Sequence, residues 1–107
     1  MNSPVLSRDA EKMICVLYKV YLERRKAKTP KAAAREFSDL DQTKLDGIAD
    51  WLDADRTETA HELKQAGFVK RYIDGSVVLE DAAIVFMENR FKNGLTEVIS
   101  FLANFIP

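Results

Sequence analysis

Three patterns follow one another within residues 61–87, which read HELKQAGFVKRYIDGSVVLEDAAIVFM. Gly67 stands where a helix is expected to end with a residue at positive φ. The β-forming side chains of residues 68–73 and 77–79 then flank Asp74-Gly75, a pair typical of two-residue type I′ hairpin turns. After this hairpin the apolar residues return to helical spacing. The sequence therefore predicts a helix, an antiparallel hairpin and a second helix.

This run resembles the C-terminal part of winged helix-turn-helix domains. In those domains the recognition helix ends in a Leu-x-x-x-Gly-aromatic-Val pattern, which residues 63–69 match, and a short wing hairpin and a leucine-led helix follow. The resemblance extends over about residues 41–91. It implies a mainly α fold with a small antiparallel β-hairpin (α+β), that is, a winged helix with additional N-terminal helices and a C-terminal helix.

The composition is that of an ordinary globular protein, since 47% of the 107 residues are hydrophobic and 31% are charged. This length predicts a single domain over residues 1–107, with the winged-helix core at about residues 8–91. The sequence has no apolar run long enough for a membrane span and no signal-peptide pattern, so a cytoplasmic protein without a membrane partner is expected. Cys15, the only cysteine, is expected to be a small buried thiol.

The charges are segregated although the formal net charge is only −1. Residues 1–37 hold nine Lys or Arg against four Asp or Glu, whereas residues 38–66 hold three against eight and residues 67–107 four against five. The basic part includes residues 24–28, which read RRKAK. They are either a solvated helix end whose cations suit the helix dipole or a patch that contacts phosphates.

Helical spacing predicts the elements that precede the hairpin. A first helix begins after Ser7 or Asp9 and runs to about Lys26, and its apolar stripe is wide enough to be covered on two sides. Thr29-Pro30 predicts the start of a short helix over residues 31–37, with Phe37 as its anchor.

Two further helices, separated by a turn, are predicted before the hairpin. Leu45, Ile48, Ala49 and Leu52 follow the spacing of one buried helix face, which predicts a helix over about residues 42–52. A turn is predicted over residues 53–55 and the recognition helix over residues 56–66. Because no Gly or Pro enforces this break, one continuous helix over residues 42–66 is the structural alternative.

The last helix is predicted over about residues 95–106, and its apolar stripe must be covered. It can pack back on the first helix or pair with its copy in a homodimer, and we expect both. The predicted dimer-interface residues are Leu95, Val98, Ile99, Leu102, Phe105 and Ile106.

The sequence carries no pattern typical of an enzyme or a cofactor site. The four glycines are scattered, so there is no phosphate-binding loop. His61 is the only histidine, whereas a transition-metal site needs several converging ligands. The aspartates between residues 39 and 55 lack the calcium-loop pattern and are expected to form a solvated face. We therefore expect neither catalysis nor a bound cofactor or metal.

The resemblance implies a small DNA-binding protein of the transcription-regulator type that acts as a dimer. The residues implied to contact DNA are Thr43 and Lys44 before the turn, Arg56, Thr57, Thr59 and Lys64 on the recognition helix, and Lys70 and Arg71 on the wing. The alternative is a winged-helix module for protein–protein assembly without DNA binding. It follows from the carboxylates that share the recognition helix, because they would repel phosphates.

Overall fold

The computed structural model describes residues 5–105, and these residues form six helices and three short strands. The helices are α1 Arg8–Lys26, α2 Lys31–Ala34, α3 Asp39–Gln42, α4 Asp53–Gln65, α5 Asp81–Arg90 and α6 Leu95–Ala103, and the strands are β1 Glu36–Phe37, β2 Val69–Arg71 and β3 Val77–Leu79. The strands form one antiparallel sheet in the order β1-β3-β2. The fold is therefore mainly helical with a small sheet, in agreement with the expected α+β class.

Helix α1 is the centre of the hydrophobic core. Its N-cap is Ser7, whose hydroxyl oxygen accepts a hydrogen bond from the Ala10 N–H at 3.2 Å. Residues 13–18 are all buried, because α2, α4, α5 and α6 pack around the helix. Cys15 is among the fully buried side chains, as expected, and burial raises the pKa of its thiol to about 12. The predicted covering of α1 on two sides is confirmed.

Helix α4 ends at Gln65, and Gly67 follows it with the predicted positive φ, of 81°. The Gly67 N–H donates to the Lys64 carbonyl at 3.0 Å, and the Phe68 N–H donates to the Leu63 carbonyl at 3.0 Å. This is the Schellman arrangement, in which two otherwise unpaired carbonyls of the last turn are satisfied. Leu63 and Phe68 are both buried, so the motif turns the chain from the helix directly into β2.

Strands β2 and β3 form the predicted antiparallel hairpin, with Lys70 opposite Val78. The predicted type I′ turn is wrong. The Tyr72 N–H donates to the Ser76 carbonyl and the Gly75 N–H donates to the Tyr72 carbonyl, so three residues, 73–75, connect the strands. Of these three only Gly75 has a positive φ, of 88°. A type I turn followed by a left-handed glycine is the usual geometry of a three-residue hairpin loop.

The predicted helix over residues 42–52 is wrong. Helix α3 ends at Gln42 and successive turns follow to residue 51. Gly47 has a φ of 104°, which an α-helix does not allow.

Leu45 and Ile48 are buried nevertheless. The Ile48 N–H donates to the Leu45 carbonyl, and such a turn places side chains three residues apart on the same side of the backbone. The helical spacing thus predicted burial correctly for Leu45 and Ile48 but not for Ala49 and Leu52, which are exposed, and it predicted the helix incorrectly.

Two other boundaries differ from the prediction. Helix α4 begins at Asp53, so residues 53–55 are helical and the break lies before them. The continuous helix over residues 42–66 is therefore excluded as well. Helix α2 ends at Ala34, and Phe37, which was expected at the end of this helix, lies in β1 opposite Val77. Phe37 is fully buried and is the expected anchor, but as part of a two-residue strand.

Within residues 5–105, no helix combines the length and the apolar character that crossing a membrane requires.

Candidate functional site

Arg56 was expected to point outward from the recognition helix, and this expectation is wrong, because the side chain is only 6% exposed. One guanidinium nitrogen, Nη1, donates to the carbonyl oxygens of Ile48, Ala49 and Trp51 at 3.5, 3.5 and 2.9 Å. The other, Nη2, contacts the carboxylate of Asp53. Arg56 therefore supplies a donor to the Ala49 and Trp51 carbonyls, and it adds a second one to the Ile48 carbonyl, which already accepts from the Trp51 N–H at 3.1 Å. The Arg56 guanidinium is therefore engaged by groups of the protein itself and is not presented to a ligand.

Thr59, a second predicted DNA contact on α4, is also buried. Its hydroxyl donates to the Asp55 carbonyl one turn earlier, at 2.7 Å. Thr57 and Lys64 are exposed, as predicted. Two of the four DNA contacts predicted on α4, Arg56 and Thr59, therefore face the interior. The spacing of polar residues along the helix did not indicate their burial.

The exposed face of α4 is acidic. It carries Asp53, Asp55 and Glu58 against one cation, Lys64. Glu62 is half-buried, and its carboxylate accepts hydrogen bonds from the Ser7 N–H at 2.7 Å and the Ser7 hydroxyl at 2.6 Å, which fastens α4 to the start of α1. A helix with this excess of carboxylates repels the phosphates of nucleic acid.

The remaining predicted DNA contacts lie on the turns and the hairpin. Thr43 is half-buried and its hydroxyl donates to the Leu40 carbonyl at 2.6 Å, whereas Lys44 is exposed. Lys70 is exposed and lies 3.9 Å from the Glu80 carboxylate, and Arg71 is half-buried. Thr43 and Lys44 belong to the turns after α3, not to a helix.

The basic region after α1 divides into internal and exposed cations. Arg24 donates to the Glu36 carbonyl at 2.6 Å and its guanidinium lies 4.5 Å from the centre of the Phe37 ring, so it fastens α1 to β1. Arg35 pairs with the Asp81 carboxylate at 2.7 Å. The exposed cations of the region are Arg25, Lys26, Lys28 and Lys31, of which Arg25 donates to the Thr29 carbonyl at 3.1 Å.

The C-terminal helix packs on α1, as predicted, and Val98 is fully buried there. Phe101 is half-buried, with the Arg90 guanidinium 4.6 Å from its ring centre. Ile99 is exposed, and the other predicted interface residues that the structure describes are half-buried, namely Leu95, Leu102 and Phe105. Ile106 lies outside the described residues. Pairing of this helix with a second copy stays a prediction.

Three large apolar side chains are exposed around the hairpin tip and the ends of α3 and α4. Leu40 and Leu52 are 63% and 72% exposed, and Ile73 is fully exposed. Each of them has an aspartate as its neighbour in the sequence. We call this surface the acidic tip and define it by Leu40, Leu52 and Ile73 together with Asp39, Asp53 and Asp74. In the sequence these positions are marked by a large apolar residue beside an aspartate.

Contacts between distant parts of the chain assemble the acidic tip. The Gln42 side-chain amide donates to the Gly75 carbonyl at 3.0 Å, which holds the hairpin tip against α3. A shallow depression lined by Asp39, Asp53, Arg71 and Gly75 joins α3, the start of α4 and the hairpin. Leu40 and Leu52 directly adjoin Asp39 and Asp53 in the chain, and Ile73 lies two residues before Gly75, so the backbone of each begins or ends at the rim of this depression.

A groove of about 830 Å³ lies beside the acidic tip, over the open face of the sheet. Its lining includes Phe37 and Val78, the half-exposed ring of Tyr72, and the carboxylates of Glu36, Asp41 and Asp74. We call it the sheet groove and define it by these six residues. The Ser76 side chain and N–H donate to Asp74 and hold the pKa of this carboxyl below its usual value, so it stays ionised near neutral pH.

Other potentially reactive side chains are isolated. His61 is exposed, and its Nε2 lies 3.3 Å from the Gln65 side-chain amide. In the part of the chain that the structure describes, no group of three or more His, Cys, Asp or Glu residues could hold a metal ion.

Comparison of the chain with protein-family models, with curated proteins and with solved structures found no match.

Proposed function

We propose that this chain is a winged-helix module for protein–protein interaction that docks its partner on the acidic tip. The observation that carries the proposal is the exposure of Leu40, Leu52 and Ile73, each within two residues of Asp39, Asp53 or Gly75, which line one depression where α3, α4 and the hairpin meet. Single apolar residues scattered over a surface are ordinary, whereas a group of them with a polar rim is typical of a protein-binding site. The aspartates of the tip provide that rim.

The order of elements supports the winged-helix interpretation. Helix α4, the left-handed Gly67, the β2–β3 hairpin and helix α5 follow one another as the resemblance implies. A fold by itself does not determine what is bound, so the function is argued from the surface.

The surface favours a protein partner over DNA. Phosphate contacts by Lys and Arg supply most of the affinity for nucleic acid, because each one releases counterions. The buried Arg56 cannot supply such a contact, and the exposed face of α4 adds three carboxylates for one lysine. The wing is short, with the carboxylate of Asp74 at its tip.

Site-specific photo-cross-linking tests the proposal in the cells from which the protein comes. A photoreactive phenylalanine analogue is placed at position 40 or 73, and, as a matched control, at Val85, which is 54% exposed on α5. We expect positions 40 and 73 to give the same discrete protein adduct and position 85 to give none. Adducts of nucleic acid, identical adducts from all three positions, or none at positions 40 and 73 would contradict the proposal.

A further inference from the structure

We infer that the partner presents a basic segment, with a Lys or Arg side chain that enters the sheet groove while neighbouring apolar side chains contact Leu40 and Ile73. This inference rests on the proposed function and specifies the chemistry of the partner. It depends on the shape of the groove, on its charge and on its continuity with the acidic tip.

The shape of the sheet groove suits a long side chain with an apolar stem. Half-buried Val78 contributes apolar surface, the Tyr72 ring is half-exposed beside it, and the fully buried Phe37 lies beneath. Lys and Arg bury their methylene groups along such surfaces while the charged head remains near polar groups. A cation above an aromatic ring gains further attraction.

The charge of the sheet groove selects a cation. Arg24 is the cation that lines it, and this guanidinium is already engaged with the Glu36 carbonyl and lies 3.7 Å from the Asp41 carboxylate. Among residues 5–105, neither the Glu36 nor the Asp74 carboxylate forms an ion pair. A ligand that brings a positive charge completes these pairs, and a phosphate is repelled by them.

The groove and the acidic tip form one continuous surface. Asp74 belongs to both, Ile73 lies between Tyr72 and Asp74 in the chain, and Leu40 precedes Asp41. A segment that crosses this surface therefore meets apolar and acidic groups in close succession. The complementary segment has Leu-like and Lys- or Arg-like side chains near one another.

Fluorescence anisotropy with a defined probe tests the inference. The probe is the fluorescein-labelled peptide Gly-Lys-Leu-Ser-Arg-Leu-Gly, and its control has Glu in place of Lys and Arg. The test variant is Glu36→Gln with Asp74→Asn, which keeps the shape of the groove and leaves an acceptor for Ser76. The matched variant is Asp50→Asn with Glu88→Gln, which removes two charges from exposed positions elsewhere.

We expect the full-length protein to bind the basic peptide and not the acidic one. The test variant should raise the Kd roughly tenfold, the effect of losing about 1.4 kcal/mol, and the matched variant should leave it within about twofold. No binding of the basic peptide, or equal weakening by both variants, would overturn the inference. Self-association that Glu36→Gln with Asp74→Asn abolishes would also overturn it, because the occupant would then be a second copy.

The proposed docking surface and the proposed basic partner can be disproved independently. If cross-linking at positions 40 and 73 succeeds and the basic peptide does not bind, the docking surface stands and the partner is not basic. If cross-linking at these positions fails, the proposed function fails whatever the peptide does.

Discussion

Single arginines hold this fold together at two places where the backbone leaves carbonyl groups unpaired. Arg56 donates to the turns before α4, and Arg24 donates to the carbonyls of Ala34 and Glu36. The planar guanidinium, with five N–H donors, suits such sites better than an ammonium group. These roles could not be predicted from the sequence, because the tertiary arrangement decides which carbonyls lack partners. That is why Arg56 was mistaken for a surface residue.

Replacing Arg56 should therefore lower stability. Arg56→Ala removes the side-chain donor from the Ala49 and Trp51 carbonyls, and we expect it to reduce the free energy of unfolding by about 2 kcal/mol. The matched change Lys64→Ala removes an exposed cation from the same helix and should stay within about 0.5 kcal/mol. Urea denaturation measures both values. Equal effects of the two variants would contradict the internal role of Arg56.

Lys28 is strained and offers a stabilising change. It follows the end of α1 with a φ of 72°, a conformation that glycine adopts without cost. Lys28→Gly should raise the free energy of unfolding by about 1 kcal/mol. Lys28→Ala removes the same charge and keeps the strain, so its unfolding midpoint should remain close to the original. Thermal denaturation compares the two, and a stabilisation by alanine as large as that by glycine would show that charge is the cause.

At the scale of elements, long periodic patterns were interpreted correctly and short or irregular segments were not. The stripe of α1 and the hairpin with its glycine were predicted because their signals are local. Strand β1 has two residues and carries no alternation that could reveal it. Leu45 and Ile48 have helical spacing but lie in turns. The spacing of these two residues reflects the burial of their side chains and does not specify the conformation of the backbone between them.

The hairpin loop should be more sensitive to substitution than the end of α4. A Cβ on Gly75 would lie 3.0 Å from the Cβ of Asp39, whereas one on Gly67 would meet nothing within 4 Å. Both positions have positive φ, so Gly67→Ala costs about 1 kcal/mol from strain alone. Gly75→Ala adds the clash and should destabilise the protein more in the same denaturation assay. A smaller effect at Gly75 would contradict the contact between the hairpin and α3.

The ion pair between Arg35, just before β1, and Asp81 of α5 should make the free energy of unfolding depend on pH. Arg35 hydrogen-bonds to Asp81 and holds the pKa of this carboxyl below its usual value. A carboxyl group with a lower pKa in the folded than in the unfolded protein stabilises the fold when the pH is above its pKa in the unfolded protein. This stabilisation is lost as the pH falls through the pKa of the group in the folded protein. We expect Asp81→Asn to flatten the loss of stability that occurs as the pH falls below the ordinary pKa of an aspartate. An unchanged pH profile would refute the contribution of this pair.

At the scale of the whole molecule, the segregation of charge is the feature that the sequence predicted and that bears on function. Residues 38–66 hold eight carboxylates, and three of the four on α4 are exposed, whereas Arg56 faces inward. The acidic helix was therefore foreseen as a docking surface in the alternative to DNA binding. The exposed apolar residues were not foreseen, because Leu52 had been assigned to the core face of a helix that does not form.

Binding to a labelled DNA duplex in a salt titration separates a protein-docking module from a DNA reader most directly. We expect no saturable binding of a mixed-sequence duplex even at about 20 mM salt, because the surface that would face phosphates is acidic. Binding whose affinity falls steeply as salt is raised, and that Lys64→Ala with Lys70→Ala weakens, would contradict this expectation.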